Sequence, residues 1–140
     1  MTASVRTAAA QTEGLAELRL LLELPALRRL AARGLSDREL ALVGQLADAT
    51  ARAARAGEVL AYLQADMVFH LCLLELTGDP VLSEIARPLV SGGQVARRAG
   101  VSADLMVREA REHGELVGLL ADGVVSAVDR LLRLHFGPVT

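Results

Sequence analysis

The three histidines of this chain and one aspartate are the side chains best suited to chemistry. His70, His113 and His135 each lie on an apolar stripe whose members recur every three or four residues, which is typical of the buried face of a helix. Asp66 precedes His70 by four residues, so it lies one turn away on the same face. Three imidazoles and a carboxylate on facing helices suit Zn²⁺, Ni²⁺, Fe²⁺ or Mn²⁺ without choosing among them. The pattern therefore predicts a metal site formed by Asp66, His70, His113 and His135.

The competing interpretation is that the histidines are ordinary core residues. A buried imidazole usually finds a hydrogen bond, because leaving it unpaired costs about 1–3 kcal/mol. Asp-x-x-x-His on one helix is also a weak signal alone, so a plain dimerisation bundle without a site stays open. A metal-dependent helical-bundle enzyme stays open too, since open coordination positions permit water activation. Against an enzyme, Glu109 and Glu112 flank His113 but are expected to point away from it.

The elements that must position these residues are all predicted to be helices. Ala, Leu, Val, Arg and Glu dominate the sequence, and no segment alternates with the period of a strand. Ser36 and Glu39 form a capping box, and glycines mark most of the stops. The fold class is therefore all-α, a six-helix antiparallel bundle over 13–136, between an arm at 1–12 and a tail at 137–140. The helices are predicted at about 13–33, 36–56, 58–77, 79–100, 102–121 and 123–136.

The composition restricts the partners. Apolar residues make up 52%, and the 12 glycines bring the share to roughly 60%, against about 45–50% for an average domain. A homodimer would bury this excess. Five charged residues interrupt the richest apolar stretch, taken as residues 15–32, so we expect no membrane span. All 15 basic residues are Arg without a basic block, and aromatics are 2%, so this chain alone is expected to bind no nucleic acid. With a single cysteine and no signal sequence, a cytoplasmic location is expected.

Three segments of the sequence share a pattern with a known protein family. They are Glu17-Leu18-Arg19 with Glu23 and Leu30-Ala31-Ala32, then Asp66-Met67-Val68-Phe69-His70, and finally Glu112-His113 followed 22 residues later by His135. The sequence resembles the FCD domain, the effector-binding C-terminal domain of the FadR subfamily of GntR transcription regulators. The six-helix count is similar to that of the VanR-type branch rather than the seven-helix FadR type.

The resemblance implies a divalent metal held by the four residues above, a small carboxylate effector beside it, and a homodimer. It also implies a regulatory rather than an enzymatic domain. Family members usually carry an N-terminal winged helix that binds DNA, and residues 1–12 are too short to hold one. Gly114 departs from the family, which often has Arg after Glu-His. Arg19 and Arg97 are the candidates for binding the effector carboxylate, because Arg pairs bidentately with carboxylates. The alternative for Arg19 is an i, i+4 pair with Glu23.

Overall fold

The computed structural model describes the backbone of residues 3–98 and 100–137, and side chains from Gly14 onwards within those ranges. Residues 1–2 of the predicted arm and 138–140 of the predicted tail lie outside the described residues. The described chain forms six helices and no strand, which confirms the predicted fold class. The helices are α1 (Ala3–Arg33), α2 (Asp37–Ala56), α3 (Val59–Leu76), α4 (Pro80–Arg97), α5 (Ala103–Asp122) and α6 (Val125–His135).

The ends of the helices follow local signals in the sequence. The Ser36 side chain accepts from the Glu39 backbone N–H, and the Glu39 carboxylate accepts from the Ser36 backbone, which confirms the capping box. Asp79 and Ser102 cap the starts of α4 and α5. Gly57 closes α2 with φ at 69°, a left-handed conformation that a side chain would disfavour.

α1 is longer than predicted. The sequence placed its start at Glu13, whereas the helix begins at Ala3 and runs for 31 residues. Residues 3–12 contain four alanines and no proline or glycine, so their helix propensity is high and nothing in them ends a helix. The predicted arm is therefore continuous with α1 wherever it is described.

The six helices pack in a closed ring whose order differs from the chain order. Each helix packs mainly against two neighbours, in the order α1, α4, α3, α2, α5, α6 and back to α1. Two connections cross the ring, the one from α1 to α2 and the one from α4 to α5, so these consecutive helices are not main neighbours. A side chain that points inward from any of the six helices therefore enters one shared interior.

α3 is the most apolar helix of the ring. By length and composition Val59–Leu76 could cross a membrane, so the prediction that residues 15–32 are the richest apolar stretch is wrong. A core helix of a bundle meets the same criterion. α3 packs between α2 and α4, and Phe69 and Leu73 from α3 join the main core cluster with Leu27 and Leu120. Its inner face also carries Asp66 and His70 into the interior.

Candidate metal centre

The four residues predicted as metal ligands converge inside the ring. α3 supplies Asp66 and His70, α5 supplies His113, and the end of α6 supplies His135. One ligand atom from each side chain lies within 4.8 Å of the other three. Asp66, His70 and His113 are buried, and His135 is half-buried. The sequence pattern thus identified four groups that the fold brings to one point.

The spacing among the inner three ligands is that of a metal coordination polyhedron. Asp66 Oδ1 lies 3.0 Å from His113 Nε2 and 3.2 Å from His70 Nε2. The two Nε2 atoms are 3.3 Å apart. Metal–ligand bonds of about 2.1 Å separate adjacent ligands by about 3.0 Å at right angles and about 3.4 Å in a tetrahedron. A single ion fits these three atoms without rearrangement, and only His135 must approach more closely.

Each imidazole also contacts a polar partner through Nδ1, the second ring nitrogen. His70 Nδ1 lies 2.6 Å from Glu23 Oε1, and His135 Nδ1 lies 2.9 Å from Glu112 Oε1. His113 Nδ1 lies 2.9 Å from Thr50 Oγ1. The Thr50 hydroxyl donates to the Ala47 carbonyl at 2.7 Å, so towards His113 it acts as an acceptor.

These partners determine which nitrogen carries the proton. An ionised carboxylate only accepts hydrogen bonds, and the Thr50 oxygen is left to accept, so all three Nδ1 atoms donate. The lone pairs of the neutral rings then lie on Nε2 and face the shared centre. Outer partners that fix the imidazole tautomer in this way are typical of protein metal sites.

The inner face of Asp66 also fits a cation. Asp66 Oδ1 is buried and makes no hydrogen bond, although two imidazole nitrogens lie near it. An oxygen with negative charge that faces nitrogen lone pairs is unfavourable unless a positive charge lies between them. The donor set of three imidazoles and one carboxylate is what Zn²⁺, Ni²⁺, Fe²⁺ or Mn²⁺ accepts, so the residues present fit such an ion.

The pKa shifts also indicate that this site favours a positive charge. Burial alone would lower the pKa of His70, but the carboxylates of Glu23 and Asp66 outweigh it and raise that pKa to about 9. Burial would raise the pKa of Asp66, yet His70 and His113 hold it well below its usual range. For His113, burial dominates and lowers the pKa to about 4. In the metal-free site, a proton on His70 therefore supplies the cation.

The outer oxygen of Asp66 is held by α4. Gln94 Nε2 donates to Asp66 Oδ2, and Arg97 Nη1 lies 3.3 Å from the same oxygen. Arg97 Nη2 also pairs with Glu109, which accepts the Tyr62 hydroxyl at 2.7 Å. Both terminal nitrogens of Arg97 are thus committed to carboxylates of the protein.

Arg19 lies on α1 and keeps a free donor. Its Nε bonds Glu23 Oε2 at 3.1 Å, the i, i+4 pair that the sequence offered as an alternative. Its guanidinium carbon lies 4.8 Å from the centre of the Phe136 ring, a cation–π contact. Arg19 Nη2 is buried without a hydrogen-bond partner. Through Glu23, Arg19 is linked to His70.

Comparison with known proteins places this arrangement in a family. The family model described as "FCD domain" matches residues 14–137. The chain belongs to the FCD domain family. The sequence resemblance is therefore confirmed over nearly the whole chain.

The solved structure of E. coli McbR/YncC is similar to this FCD domain, with a TM-score of 0.76 and 19% sequence identity. The likeness covers 88% of this chain and 59% of that one, so the FCD domain spans somewhat more than half of the larger protein. At this identity the likeness concerns the fold. No curated protein matches the sequence.

Sequence reasoning missed most of the outer partners in the FCD domain. Glu109 and Glu112 were expected to point away from His113, and this is wrong because both are buried and face the interior. The buried face predicted for α5 was too narrow, because a helical face about 100° wide also includes the residues one and four positions before His113. Glu23, which interrupts a run of leucines, was the clearest available signal. Thr50 shares the period of Val43, Ala47 and Ala54, but a threonine at a core position rarely indicates a role.

Proposed function

We propose that this FCD domain binds one divalent transition metal through Asp66, His70, His113 and His135, and senses a small carboxylate effector beside it. The observation that carries the proposal is that the Nε2 atoms of His70 and His113 lie 3.2 Å and 3.0 Å from one oxygen of Asp66, with His135 in the same group and each of the three rings bonded to a separate acceptor. Zn, Ni, Fe and Mn all suit the set.

We propose Arg19 as the main contact of the effector carboxylate. Its Nη2 is unpaired, and a guanidinium that keeps one free edge can add a charge-assisted hydrogen bond. Arg97 was predicted for the same role, but both of its terminal nitrogens already bind protein carboxylates. Its proposed role is to orient Asp66, with direct effector contact requiring loss of the Glu109 pair.

The output of such a domain would be regulatory. Membership of the FCD family supports an effector-binding module that acts through the DNA-binding domain of a GntR-family regulator, in the cytoplasm. For an enzyme, a free acid or base would be needed near the metal. Glu109 is engaged by Tyr62 and Arg97, and Glu112 is engaged by His135, so neither is available.

The proposed partner for assembly is a second copy of the chain. Exposed apolar side chains line the seam between α1 and α4, and a shallow groove there is lined by Leu15, Leu18, Gly92, Val95 and Ala96. Apolar patches of this kind usually mark protein interfaces. A homodimer through this face would also account for the high apolar share of the sequence.

Metal binding is tested by titrating the metal-free chain with Zn²⁺ against a chromophoric chelator. We expect one tight site per chain, lost in His113→Ala. Retention of the same affinity in that variant would contradict the proposed ligand set.

A further inference from the structure

Gln94 is a buried amide that donates to a candidate metal ligand while its own oxygen lacks a partner. Its Nε2 donates to Asp66 Oδ2, and its Oε1 makes no hydrogen bond in the described part of the chain. The amide cannot flip, because its oxygen would then face the Asp66 carboxylate. At 7% exposure, an amide with one unsatisfied end needs an explanation beyond packing.

Gln94 and Arg97 together occupy the outer oxygen of Asp66. Both residues lie on α4, three positions apart and therefore on one face of the helix. Arg97 Nη1 lies 3.3 Å from Oδ2, the same oxygen that accepts from Gln94. A carboxylate oxygen has about two lone pairs, and these two donors use both of them. Oδ2 therefore has no lone pair left for a metal.

The other oxygen of Asp66 remains available. Oδ1 makes no hydrogen bond, and it lies 3.2 Å and 3.0 Å from the Nε2 atoms of His70 and His113. The two oxygens of one carboxylate are thus divided between α4 and the candidate metal centre. Arg97 also pairs with Glu109, so this donor to Oδ2 is fixed from a second side.

We propose that Gln94, together with Arg97, restricts Asp66 to ligation through one oxygen and thereby favours zinc over manganese. The inference rests on the proposed function, and it adds a preference within the set of metals that suit the donors. Mn²⁺ prefers carboxylate and water oxygens, whereas imidazole suits Zn²⁺. A carboxylate that offered both oxygens would add a ligand of the kind that Mn²⁺ prefers. Three imidazole nitrogens and one carboxylate oxygen make four ligands, the number that zinc usually takes.

Gln94 is the better residue for a test, because Arg97 also carries a charge. Gln94→Leu removes the donor and the unsatisfied oxygen together, and it places an apolar side chain of similar size at a buried position. One lone pair of Asp66 Oδ2 is then free, so the carboxylate can offer both oxygens to an ion. Loss of an outer partner weakens metal binding by about 10–100-fold. For manganese the second oxygen offsets this loss, whereas zinc already has its usual number of ligands.

The test compares two metals in three proteins. Dissociation constants for Zn²⁺ and Mn²⁺ are measured by competition with chelators of known affinity, for the unchanged chain, for Gln94→Leu and for Gln64→Leu. Gln64 is exposed on α3. We expect the ratio of the Mn²⁺ constant to the Zn²⁺ constant to fall about tenfold in Gln94→Leu and to stay within twofold in Gln64→Leu. The ratio is taken within one protein, so a loss of stability that weakens both metals alike does not imitate it.

Infrared difference spectroscopy tests the unchanged chain directly. The separation between the antisymmetric and symmetric carboxylate stretches is wide when one oxygen binds the metal and narrow when both do. Spectra with and without zinc, recorded on protein with ¹³C-labelled aspartate carboxylates, isolate the ligand. We expect the wide separation, and this measurement decides even if Gln94→Leu does not fold. In Gln94→Leu loaded with manganese we expect the narrow separation.

The failures are distinguishable. A narrow separation in the unchanged zinc-loaded chain overturns ligation through one oxygen. An unchanged ratio of dissociation constants in Gln94→Leu, or an equal fall in Gln64→Leu, overturns the role of Gln94 and leaves the proposed metal site standing. No binding of either metal by the unchanged chain overturns this inference and the proposed metal site together.

Discussion

Thr50→Val removes one hydrogen-bond partner of a candidate metal ligand with little change in side-chain shape. Threonine and valine are nearly isosteric, so the substitution removes the hydroxyl that accepts from His113 Nδ1 at 2.9 Å and leaves the packing. Without that acceptor, His113 favours the tautomer with its proton on Nε2, where Asp66 Oδ1 at 3.0 Å accepts it. This proton occupies the lone pair that the metal requires.

The expected loss in zinc affinity is about 10–100-fold, the range for removing an outer partner of a ligating histidine. The metal-free protein also loses one or two buried hydrogen bonds, so its free energy of unfolding falls by about 1–3 kcal/mol. For a chain of this length the melting temperature then falls by roughly 3–10 °C.

Thr77→Val is the matched control. The Thr77 hydroxyl also donates to the carbonyl three residues earlier, to Leu74 at 2.6 Å, but it lies at the end of α3 and contacts no ligand. Zinc affinity is measured by competition with a chromophoric chelator, and melting is followed by circular dichroism. If Thr50→Val binds zinc within twofold of the unchanged chain, the proposed role of the outer partner is refuted.

Three further predictions follow from the same site and surface. Chelation should lower the melting temperature by roughly 5–15 °C, since a metal at 100 times its dissociation constant contributes about 2.7 kcal/mol; His113→Ala should remove most of that difference, and an unchanged difference would contradict its role as a ligand. The metal-free domain should be most stable near pH 6.5. Its raised His70 pKa of about 9 contributes stability that is present below pH 6.5 and lost as the pH rises through about 9, and its lowered His113 pKa of about 4 removes stability as the pH falls from 6.5 towards 4. Chemical denaturation of the metal-free chain across pH 4–10 measures this, and a flat profile would contradict it. Light scattering at micromolar concentration should report a dimer that Leu21→Glu, on the α1 surface, converts to a monomer and that Leu60→Glu, on α3, leaves intact; a monomeric unchanged chain would refute the assembly.

The sequence predicted the fold class and the candidate ligands because both depend on the spacing of apolar residues within single helices. For five of the six helices, the first and last residues both lie within three positions of the predicted bounds, because caps and glycines act within one turn. His70, His113 and His135 were identifiable because an inward histidine interrupts an apolar stripe. The order of the helices around the ring could not be predicted from the sequence, because it depends on which helix faces pack against each other. Thr50 and Gln94 were missed for the same reason: their partners are 63 and 28 residues away, and no local pattern joins them.

The start of α1 was predicted ten residues too late in the sequence, at Glu13 instead of Ala3. Residues 3–12 carry alanines but no clear apolar stripe, so only their propensity favours a helix from Ala3. Helix formation needs no buried face where the helix continues one that is already nucleated. The domain bounds at 13 and 136 remain predictions, although the FCD family match covers residues 14–137.

Metal content is the most direct test of the central claim. The chain is purified without chelator, stripped, reloaded separately with zinc, nickel, iron or manganese, desalted, and measured by elemental analysis against protein concentration. The proposed centre predicts about one equivalent of at least one of these metals per chain, as for a site with four protein ligands. It also predicts a large loss of bound metal in Asp66→Asn. Substoichiometric metal after reloading with all four, or equal content in that variant, would contradict the claim that Asp66, His70, His113 and His135 form a metal site.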